Sequence, residues 1–210
     1  MGADQQVDID WRAAKETQRR YDRAALGYDL RDMPMELFAR ALRRRLWAKI
    51  DGGRVLEVGV GTGRNLAYHP PQSEVSAIDI SPRLLAKAVR KARKKGQAVE
   101  MSLMDAQRLA FGDGSFDSAA ATFVFCSVPD PLVGLAEVRR VLKPGGRFVA
   151  VDLGESSGFL GHIFQLLGAR HGEGKLGEAP AMLREAGFEG VESGRTKYKP
   201  LWVVRATKGG

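Results

Sequence analysis

Three glycines at alternate positions follow a short apolar run near residue 55, and no other feature of the sequence constrains the fold as much. The stretch reads VLEVGVGTG, with Glu57 in the run and Gly59, Gly61 and Gly63 in the turn. A strand followed by a glycine-rich turn is typical of a backbone that must approach a ligand closely. We therefore expect a strand over residues 54–58 and a ligand site at the turn.

Strands and helices alternate along the rest of the chain. Further strands are predicted at 74–80, 98–104, 116–125 and 147–153, with helices at 63–69, 82–95 and 131–142. KPGG at 143–146 indicates a turn, 158–168 an apolar helix or lid, and 178–186 a helix. Two last strands near 191–197 and 201–206 should pair antiparallel. The pattern predicts an α/β fold: a doubly wound, Rossmann-like, mostly parallel seven-stranded sheet with an antiparallel last strand and N-terminal helices.

Length and composition fit one structural domain of 210 residues. Residues 11–50 have helical periodicity, so we interpret residues 1–52 as an N-terminal helical cap over the ligand site and residues 53–210 as the core. The single cysteine, Cys126, excludes an internal disulfide framework and a multi-cysteine metal site. The three histidines lack metal-ligand spacing, so no metal is expected.

The glycine spacing discriminates between ligands. A dinucleotide fingerprint would need its third glycine where Arg64 stands, and no lysine follows the turn as it would in a P-loop. Glu57 would repel a pyrophosphate and suits a cationic group instead. Ligands of such sheets bind beyond the carboxyl ends of the strands, which is where this turn is expected to lie.

Four further motifs follow the turn in order. They are AIDIS at 77–81, MDA at 104–106, FD at 116–117 with FVF at 123–125, and RVLKPGG at 140–146. Together with the turn, they resemble class I S-adenosylmethionine-dependent methyltransferases over about residues 20–155. Within that family the chain is most similar to the ubiquinone/menaquinone-biosynthesis type. The stretch FVFCSVPDP and the pairs Tyr21-Asp22 and Tyr28-Asp29 also resemble relatives that act on phospholipid amines and thiols.

The resemblance implies that S-adenosyl-L-methionine binds at the turn and leaves as S-adenosyl-L-homocysteine. The implied cofactor-binding residues are Tyr21, Tyr28, Glu57, Gly59, Gly61, Gly63, Asn65, Asp79, Ile80, Asp105, Ala106 and Phe123. Asp79 would accept hydrogen bonds from both ribose hydroxyls, and Ile80, Asp105 and Ala106 would contact the adenine. Read without the resemblance, Asp79 could merely cap the next helix and Asp105 could be a turn residue.

The methionine end of the cofactor would lie near Glu57 and Gly59, with Phe123 beside the sulfonium and Tyr21 and Tyr28 as covers. The two tyrosines could instead be packing residues, and Cys126 is interpreted as a small buried side chain rather than a nucleophile. A general base is needed only if the acceptor carries a proton. No residue is assigned to this role, and Tyr28 and His162 are the weak catalytic candidates.

The acceptor is expected to be hydrophobic. Apolar residues with basic flanks occur near both predicted substrate-facing segments, at Leu37, Phe38 and Trp47 and within 159–167. A quinone precursor, a phospholipid amine and a thiol remain open, and core packing explains the same residues equally well. Competing functions are a nicotinamide-dependent oxidoreductase and a cofactor-binding regulator or membrane-surface adaptor without turnover.

The net charge of +8 is concentrated in two basic clusters, at 40–49 and 83–95. Such clusters usually form solvated helix faces, and they also suit peripheral contact with an anionic membrane. No specific nucleic-acid partner is predicted. The N-terminal residues do not resemble a secretory signal, so we expect a cytoplasmic location, with the inner membrane face as an open alternative.

Overall fold

The computed structural model describes residues 9–28, 33–153, 179–195 and 201–210, and the statements below concern these residues. The catalytic candidate His162 and the apolar segment 158–168 lie outside them, as do the side chains of Leu37 and Phe38. Among the described residues, no helix has the length and apolar character needed to cross a membrane.

Seven strands form one sheet in the order β3-β2-β1-β4-β5-β7-β6. The strands are β1 (Gly53–Val58), β2 (Ser73–Asp79), β3 (Glu100–Leu103), β4 (Phe116–Thr122), β5 (Leu142–Leu153), β6 (Phe188–Arg195) and β7 (Leu201–Lys208). Strands β1 to β5 pair in parallel, and β7 pairs antiparallel with both β5 and β6. The predicted fold class, a mostly parallel seven-stranded sheet with an antiparallel last strand, is confirmed.

Five helices accompany the sheet: α1 (Trp11–Ala24), α2 (Met33–Trp47), α3 (Pro82–Lys94), α4 (Pro131–Val141) and α5 (Ala179–Glu185). Side chains cap three of them. Asp10 accepts from backbone N–H groups at the start of α1, Ser81 does so for α3, and Asp130 does so for α4. A proline occupies the first turn of both α3 and α4, where its missing N–H costs no hydrogen bond.

Three local predictions were wrong. The helix expected from Gly63 is only a single 3-10 turn, Leu66–Tyr68, because Gly61 and Gly63 have positive φ and Pro70 follows closely. Strand β4 ends at Thr122 rather than residue 125, since the next residue, Phe123, has a φ of 60°. The predicted turn at 143–146 belongs to β5, where the register shifts by an irregularity between Phe116 and Ser118 of β4.

The sheet is covered on both faces. Phe148 and Phe116 contribute to a large cluster with residues of α4 and α5, whereas Val149 belongs to a second cluster with residues of α2. Trp47 is 1% exposed within that second cluster, so its ring belongs to the core, which is the packing alternative considered from the sequence. Helix α2 therefore packs on a face of the sheet, and its Arg43 bonds to Thr122 at the carboxyl end of β4. The division at residue 52 stays a prediction.

Candidate functional site

A cleft opens at the carboxyl ends of β1, β2 and β4, and residues from α1 and the segment after it form one wall. It encloses about 650 Å³ of space free of protein atoms, part of it open to solvent. Nine of the twelve predicted cofactor-binding residues line it: Tyr21, Tyr28, Gly59, Gly61, Asp79, Ile80, Asp105, Ala106 and Phe123. The other three, Glu57, Gly63 and Asn65, are not among the lining residues.

The glycine-rich turn needs glycine for two different reasons. All three of its glycines have positive φ, between 56° and 74°. At Gly59 a Cβ atom would come within 2.4 Å of a methyl group of Val124, whereas at Gly61 it would meet nothing within 4 Å. Gly59 therefore allows close packing against the loop after β4, and Gly61 leaves open space on the cleft side of the turn.

Asp79, the last residue of β2, places its carboxylate beside the turn. One oxygen, Oδ2, accepts from the Gly61 N–H at 2.7 Å and the other, Oδ1, accepts from the Ser81 N–H at 2.8 Å. Burial raises the pKa of Asp79 above its ordinary 3.8, while these two backbone hydrogen bonds oppose the shift. Each oxygen retains acceptor capacity, so the carboxylate can take two further donors from the cleft.

Glu57, expected to meet a cationic ligand group, is fully buried beneath the turn. Its two oxygens lie 2.7 Å from Asn65 Nδ2 and 2.7 Å from His69 Nε2. Asn65 Nδ2 also donates to Thr122 Oγ1 at 2.8 Å. The carboxylate thus ties the turn to β1 and β4 from below, and its predicted direct contact with the cofactor stays a prediction.

Arg43 completes this buried network, although the sequence placed it only in the basic cluster at 40–49, on a face expected to be solvated. Its Nη1 donates to Asn65 Oδ1 at 2.9 Å and to Thr122 Oγ1 at 2.7 Å. Its guanidinium also lies over the ring of Phe123, 5.2 Å from the centroid. A signal existed, because Arg43 falls inside the helical stripe formed by Ala39, Leu42, Leu46 and Trp47, where a solvated arginine would not be expected.

Phe123 is held in an unusual backbone conformation at the centre of the cleft. It is the one described residue other than glycine with a positive φ. A bulky residue in this region is strained, and such strain is retained where the surroundings dictate the conformation. Its N–H donates to the Val151 carbonyl at 2.8 Å, and Arg43 covers its ring, so both backbone and side chain are fixed.

Asp105 also lines the cleft, in the segment after β3, where the Met104 N–H donates to the Asp79 carbonyl at 3.1 Å. Its Oδ1 accepts from the Gln107 N–H at 2.9 Å, and its carboxylate also accepts from Gln107 Nε2. The same amide side chain accepts from the Asp130 N–H at 3.0 Å, which links Asp105 to the start of α4. Gln107 is a buried positioning residue that the sequence reasoning missed, although it follows the MDA motif directly.

Helix α1 is attached at two points beside the cleft. The Tyr21 hydroxyl lies 2.5 Å from Ser127 Oγ, and Ser81 Oγ donates to the Asp22 carboxylate. Burial raises the pKa of Tyr21 to about 12, so its phenol is protonated at neutral pH. Tyr28 follows at the cleft wall, with its ring centroid 6.3 Å from that of Tyr21.

Groups suited to other chemistry do not assemble in the described part of the chain. Burial raises the pKa of Cys126 well above its ordinary value, which keeps the thiol protonated, as its interpretation as a small apolar side chain requires. Within the described ranges, no three His, Cys, Asp or Glu side chains are grouped so that they could hold a metal ion.

Comparison with known proteins identifies the arrangement. Residues 56–150 match the family model described as a methyltransferase domain. A phosphatidylethanolamine N-methyltransferase from Cereibacter sphaeroides is 41% identical over 114 residues, which is 52% of this chain and 56% of that protein. A demethylmenaquinone methyltransferase from Tropheryma whipplei is 31% identical over 173 residues, or 79% of this chain and 72% of that protein.

A solved structure extends the match to the fold. The S-adenosylmethionine-dependent methyltransferase of Thermotoga maritima described as a possible histamine N-methyltransferase superposes with a TM-score of 0.69 at 26% identity. The alignment covers 90% of this chain and 99% of that structure. The chain spans about half the length of most of the relatives it matches, between 46% and 57% for five of them. The glycine-rich turn, the sheet order and these matches agree: the chain belongs to the class I S-adenosylmethionine-dependent methyltransferases and resembles the ubiquinone/menaquinone-biosynthesis type.

Proposed function

We propose that this protein is an S-adenosylmethionine-dependent methyltransferase that methylates a hydrophobic small-molecule or lipid acceptor. The observation that carries the proposal is the Asp79 carboxylate, which lines the cleft beside a glycine-rich turn. Among the described residues, backbone N–H groups hold it and no cation pairs with it. A carboxylate held in this way is available to two adjacent hydroxyls, and the ribose of the cofactor offers such a pair.

The neighbouring residues fit the remainder of an adenosine. Ile80 offers an aliphatic surface next to Asp79, and Asp105 and Ala106 line the same cleft. In our proposal Ile80 packs on the adenine face, Asp105 accepts from the exocyclic amine and the Ala106 backbone meets a ring nitrogen. Gln107 positions Asp105 through its hydrogen bonds to the carboxylate.

Aromatic rings surround the place where the methionine half would lie. Tyr21, Tyr28 and Phe123 all line the cleft, and aromatic faces attract a sulfonium as they attract other cations. S-adenosylmethionine supplies a methyl group whose bond to sulfur breaks, leaving its electron pair on sulfur, while a lone pair of the acceptor bonds to the carbon. The role of the protein is to hold the acceptor in line with that bond and to exclude water.

The cleft offers little help with a proton. Tyr21 stays protonated near neutral pH, and the described lining residues include no histidine, lysine or arginine. We infer that the acceptor presents its lone pair without a strong base from these residues, as a free amine, a thiolate or an activated ring carbon can. Tyr28 remains a candidate for contact with the acceptor.

The acceptor class follows from the apolar wall and from the relatives. Met104, Val124 and Val128 line the cleft, together with the rings of Tyr21 and Phe123, and favour an apolar acceptor. The names of the relatives from Cereibacter sphaeroides and Tropheryma whipplei specify a phospholipid amine and a quinone precursor. Both acceptors, and a hydrophobic thiol, stay open for this protein. A nicotinamide reaction is disfavoured, because Arg64 occupies the third-glycine position and pairs with Glu36 at 2.8 Å.

Two measurements test the proposal in sequence. Titration calorimetry should show binding of S-adenosylhomocysteine to the full chain, and absence of binding would refute the proposed cofactor site. Incubation of cell extract with isotopically methyl-labelled cofactor, followed by mass spectrometry, should then reveal a labelled lipid, quinone precursor or thiol. Cofactor binding without any labelled product would support instead a regulator or membrane-surface adaptor without turnover.

A further inference from the structure

We propose that the outer face of α3, together with Leu26, docks on the surface of an anionic lipid bilayer. This docking face consists of a shallow groove with apolar and basic lining residues, Leu85, Ala86, Val89, Arg90, Arg93 and Lys94. We add to it the exposed Leu26, in the turn that Lys87 bonds to α3. It lies outside the cofactor cleft. The inference goes beyond the proposed methyl transfer and holds or fails independently of it.

The basic residues of the docking face are uncompensated by the residues that the structure describes. Arg90, Arg93 and Lys94 are exposed, and none of them makes a hydrogen bond or ion pair with another described residue. Two exposed arginines elsewhere on the described surface do pair, Arg147 with Asp51 and Arg205 with Glu192. The chain contains no acid between Asp79 and Glu100. The local field is therefore positive and open to an anionic surface.

Aliphatic side chains lie among these cations. Leu85, Ala86 and Val89 line the groove with Arg90 and Arg93 along its side. Leu26, in the turn after α1, is 87% exposed. That turn is held against α3, since Lys87 Nζ donates to the Ala25 carbonyl. An exposed leucine beside a basic helix matches a bilayer interface, where the apolar side chain enters the acyl boundary and the cations meet headgroup phosphates.

Lipid is favoured over nucleic acid by what the helix lacks. The sequence of α3, PRLLAKAVRKARK, carries no aromatic, amide or hydroxyl side chain. Proteins that bind nucleic acid add stacking rings or polar base contacts to their basic residues. Basic residues near a helix C-terminus also complement the helix dipole, which accounts for Arg93 and Lys94 but not for Arg90 or an exposed Leu26.

The position of the docking face gives it a consequence for access. Leu26 lies two residues before Tyr28, which lines the cleft, and Asp22 of α1 bonds to Ser81 at the start of α3. A bilayer bound at this face therefore contacts the same N-terminal segment that forms a wall of the cleft. An acceptor dissolved in the membrane would be presented beside that wall.

The test compares two triple variants with the same net charge. One replaces Arg90, Arg93 and Lys94 by Gln, and the matched control, called the α2 triple, replaces Arg44 and Arg45 of α2 and Lys49 just after it, which are also exposed. Each lowers the net charge from +8 to +5, that is, 8 − 3. The readout is co-sedimentation of the full chain with phosphatidylcholine vesicles, with and without phosphatidylglycerol, after equal thermal melts have been verified.

We expect the wild type to bind only the anionic vesicles and to be released by salt. The α3 triple should lose affinity about a hundredfold, at roughly fivefold for each basic residue, while the α2 triple binds nearly as wild type. Equal loss in both triples would show that net charge alone acts and would overturn the assigned face. Recovery of the wild type in the supernatant with both vesicle types at low salt would also overturn it.

A second pair of variants tests the aliphatic part. Leu26→Ser should remove the portion of vesicle binding that resists salt, whereas Leu103→Ser, at a leucine 52% exposed on β3, should not. A duplex DNA oligonucleotide at the same salt serves as the competing partner. If the α3 triple weakened DNA binding while leaving vesicle binding unchanged, the partner would be nucleic acid and the lipid proposal would fail.

Discussion

Two aspartates lie at opposite ends of the strands of the same sheet, and the protein holds them in different ways. Asp117, near the amino end of β4, accepts from Lys143 Nζ at 2.5 Å and from the Arg54 N–H at 2.8 Å. The hydrogen bond from Lys143 lowers the pKa of Asp117 below 3.8, with the Arg54 N–H adding to the effect. Asp79, at the carboxyl end of β2, is buried and has backbone donors only, and its pKa is raised.

The contrast separates a structural carboxylate from one available to a ligand. A cation neutralises Asp117 within the protein, so its charge is already compensated. Asp79 is oriented by the backbone yet has no charge partner among the described residues, so its burial carries an electrostatic cost that donors from a ligand would offset. The end of a sheet that binds a ligand is therefore recognised by charged side chains that are oriented but have no charge partner, more than by the number of polar residues there.

The largest expected effect is the loss of cofactor binding on changing Asp79. Asp79→Asn keeps the shape but replaces one acceptor oxygen by a donor, and the affinity for S-adenosylhomocysteine should fall at least about a hundredfold. Asp117→Asn is the matched control: it should leave this affinity unchanged and cost about 1 kcal/mol of folding stability at most. Calorimetry and thermal melts of both variants give the answer. Equal loss of affinity in the two variants would contradict the proposed difference between Asp79 and Asp117.

A pair of glycine substitutions compares the same two ends of the sheet by changing the backbone. Gly61 lies at the carboxyl ends of the strands and Gly145 at the amino ends, with φ of 56° and 74°. A Cβ on either would meet nothing within 4 Å. Alanine should therefore cost both sites a similar strain, about 1–2 kcal/mol. Only Gly61→Ala should also weaken the binding of S-adenosylhomocysteine, by roughly tenfold, because its Cβ enters space beside the cleft. Weaker binding by Gly145→Ala as well would indicate that the loss of stability acts on binding indirectly.

Most of the sheet and much of the candidate site could be predicted from the sequence, because each rests on local signals. The turn glycines and the carboxylates Asp79 and Asp105 lie within a few residues of strand ends, and apolar runs indicate the strands themselves. The alternation of strands and helices was enough to predict that the sheet is mostly parallel. The strand limits and the short turn at Leu66–Tyr68 were missed, since positive φ at Phe123 and competing side-chain bonds at Asn65 decide them.

Residues that act across the fold could not be predicted. Arg43, Gln107 and Ser127 come from α2, the segment after β3 and the loop after β4, and each matters only through a partner distant in sequence. Arg43 bonds to Thr122, 79 residues away. Long-range contacts of this kind depend on how helices pack on the sheet, which no short pattern contains.

Acidity should distinguish the two aspartates without any substitution. The raised pKa of Asp79 means that it takes up a proton above pH 3.8, so binding of S-adenosylhomocysteine should weaken several-fold as the pH falls from neutrality toward 4. Asp79 itself then favours the folded state, because a raised pKa contributes stability at low pH that is lost as pH rises. Asp117 has a lowered pKa, so its contribution is present above 3.8 and is lost only below it.

Calorimetry and thermal melts at a series of pH values check this expectation. Affinity should decline while the melting temperature has not yet responded to Asp117, and the Asp117→Asn variant should have the same affinity profile as wild type. An affinity that stays constant down to pH 4 would contradict the assigned role of Asp79.

The smallest expected effect concerns the wall of the cleft rather than its floor. Tyr21→Phe removes the hydroxyl that bonds to Ser127 Oγ but keeps the ring beside the methionine half of the cofactor. One lost hydrogen bond should cost roughly 1 kcal/mol of stability and reduce S-adenosylhomocysteine affinity only a few-fold, since the backbone-held Asp79 is untouched. Tyr68→Phe is the control, because the Tyr68 hydroxyl makes no hydrogen bond within the described residues and the residue lies outside the cleft. If Tyr21→Phe abolished binding as completely as Asp79→Asn, the attachment of α1 would contribute as much to cofactor affinity as Asp79 does. The site would then depend on the N-terminal helix as much as on the sheet.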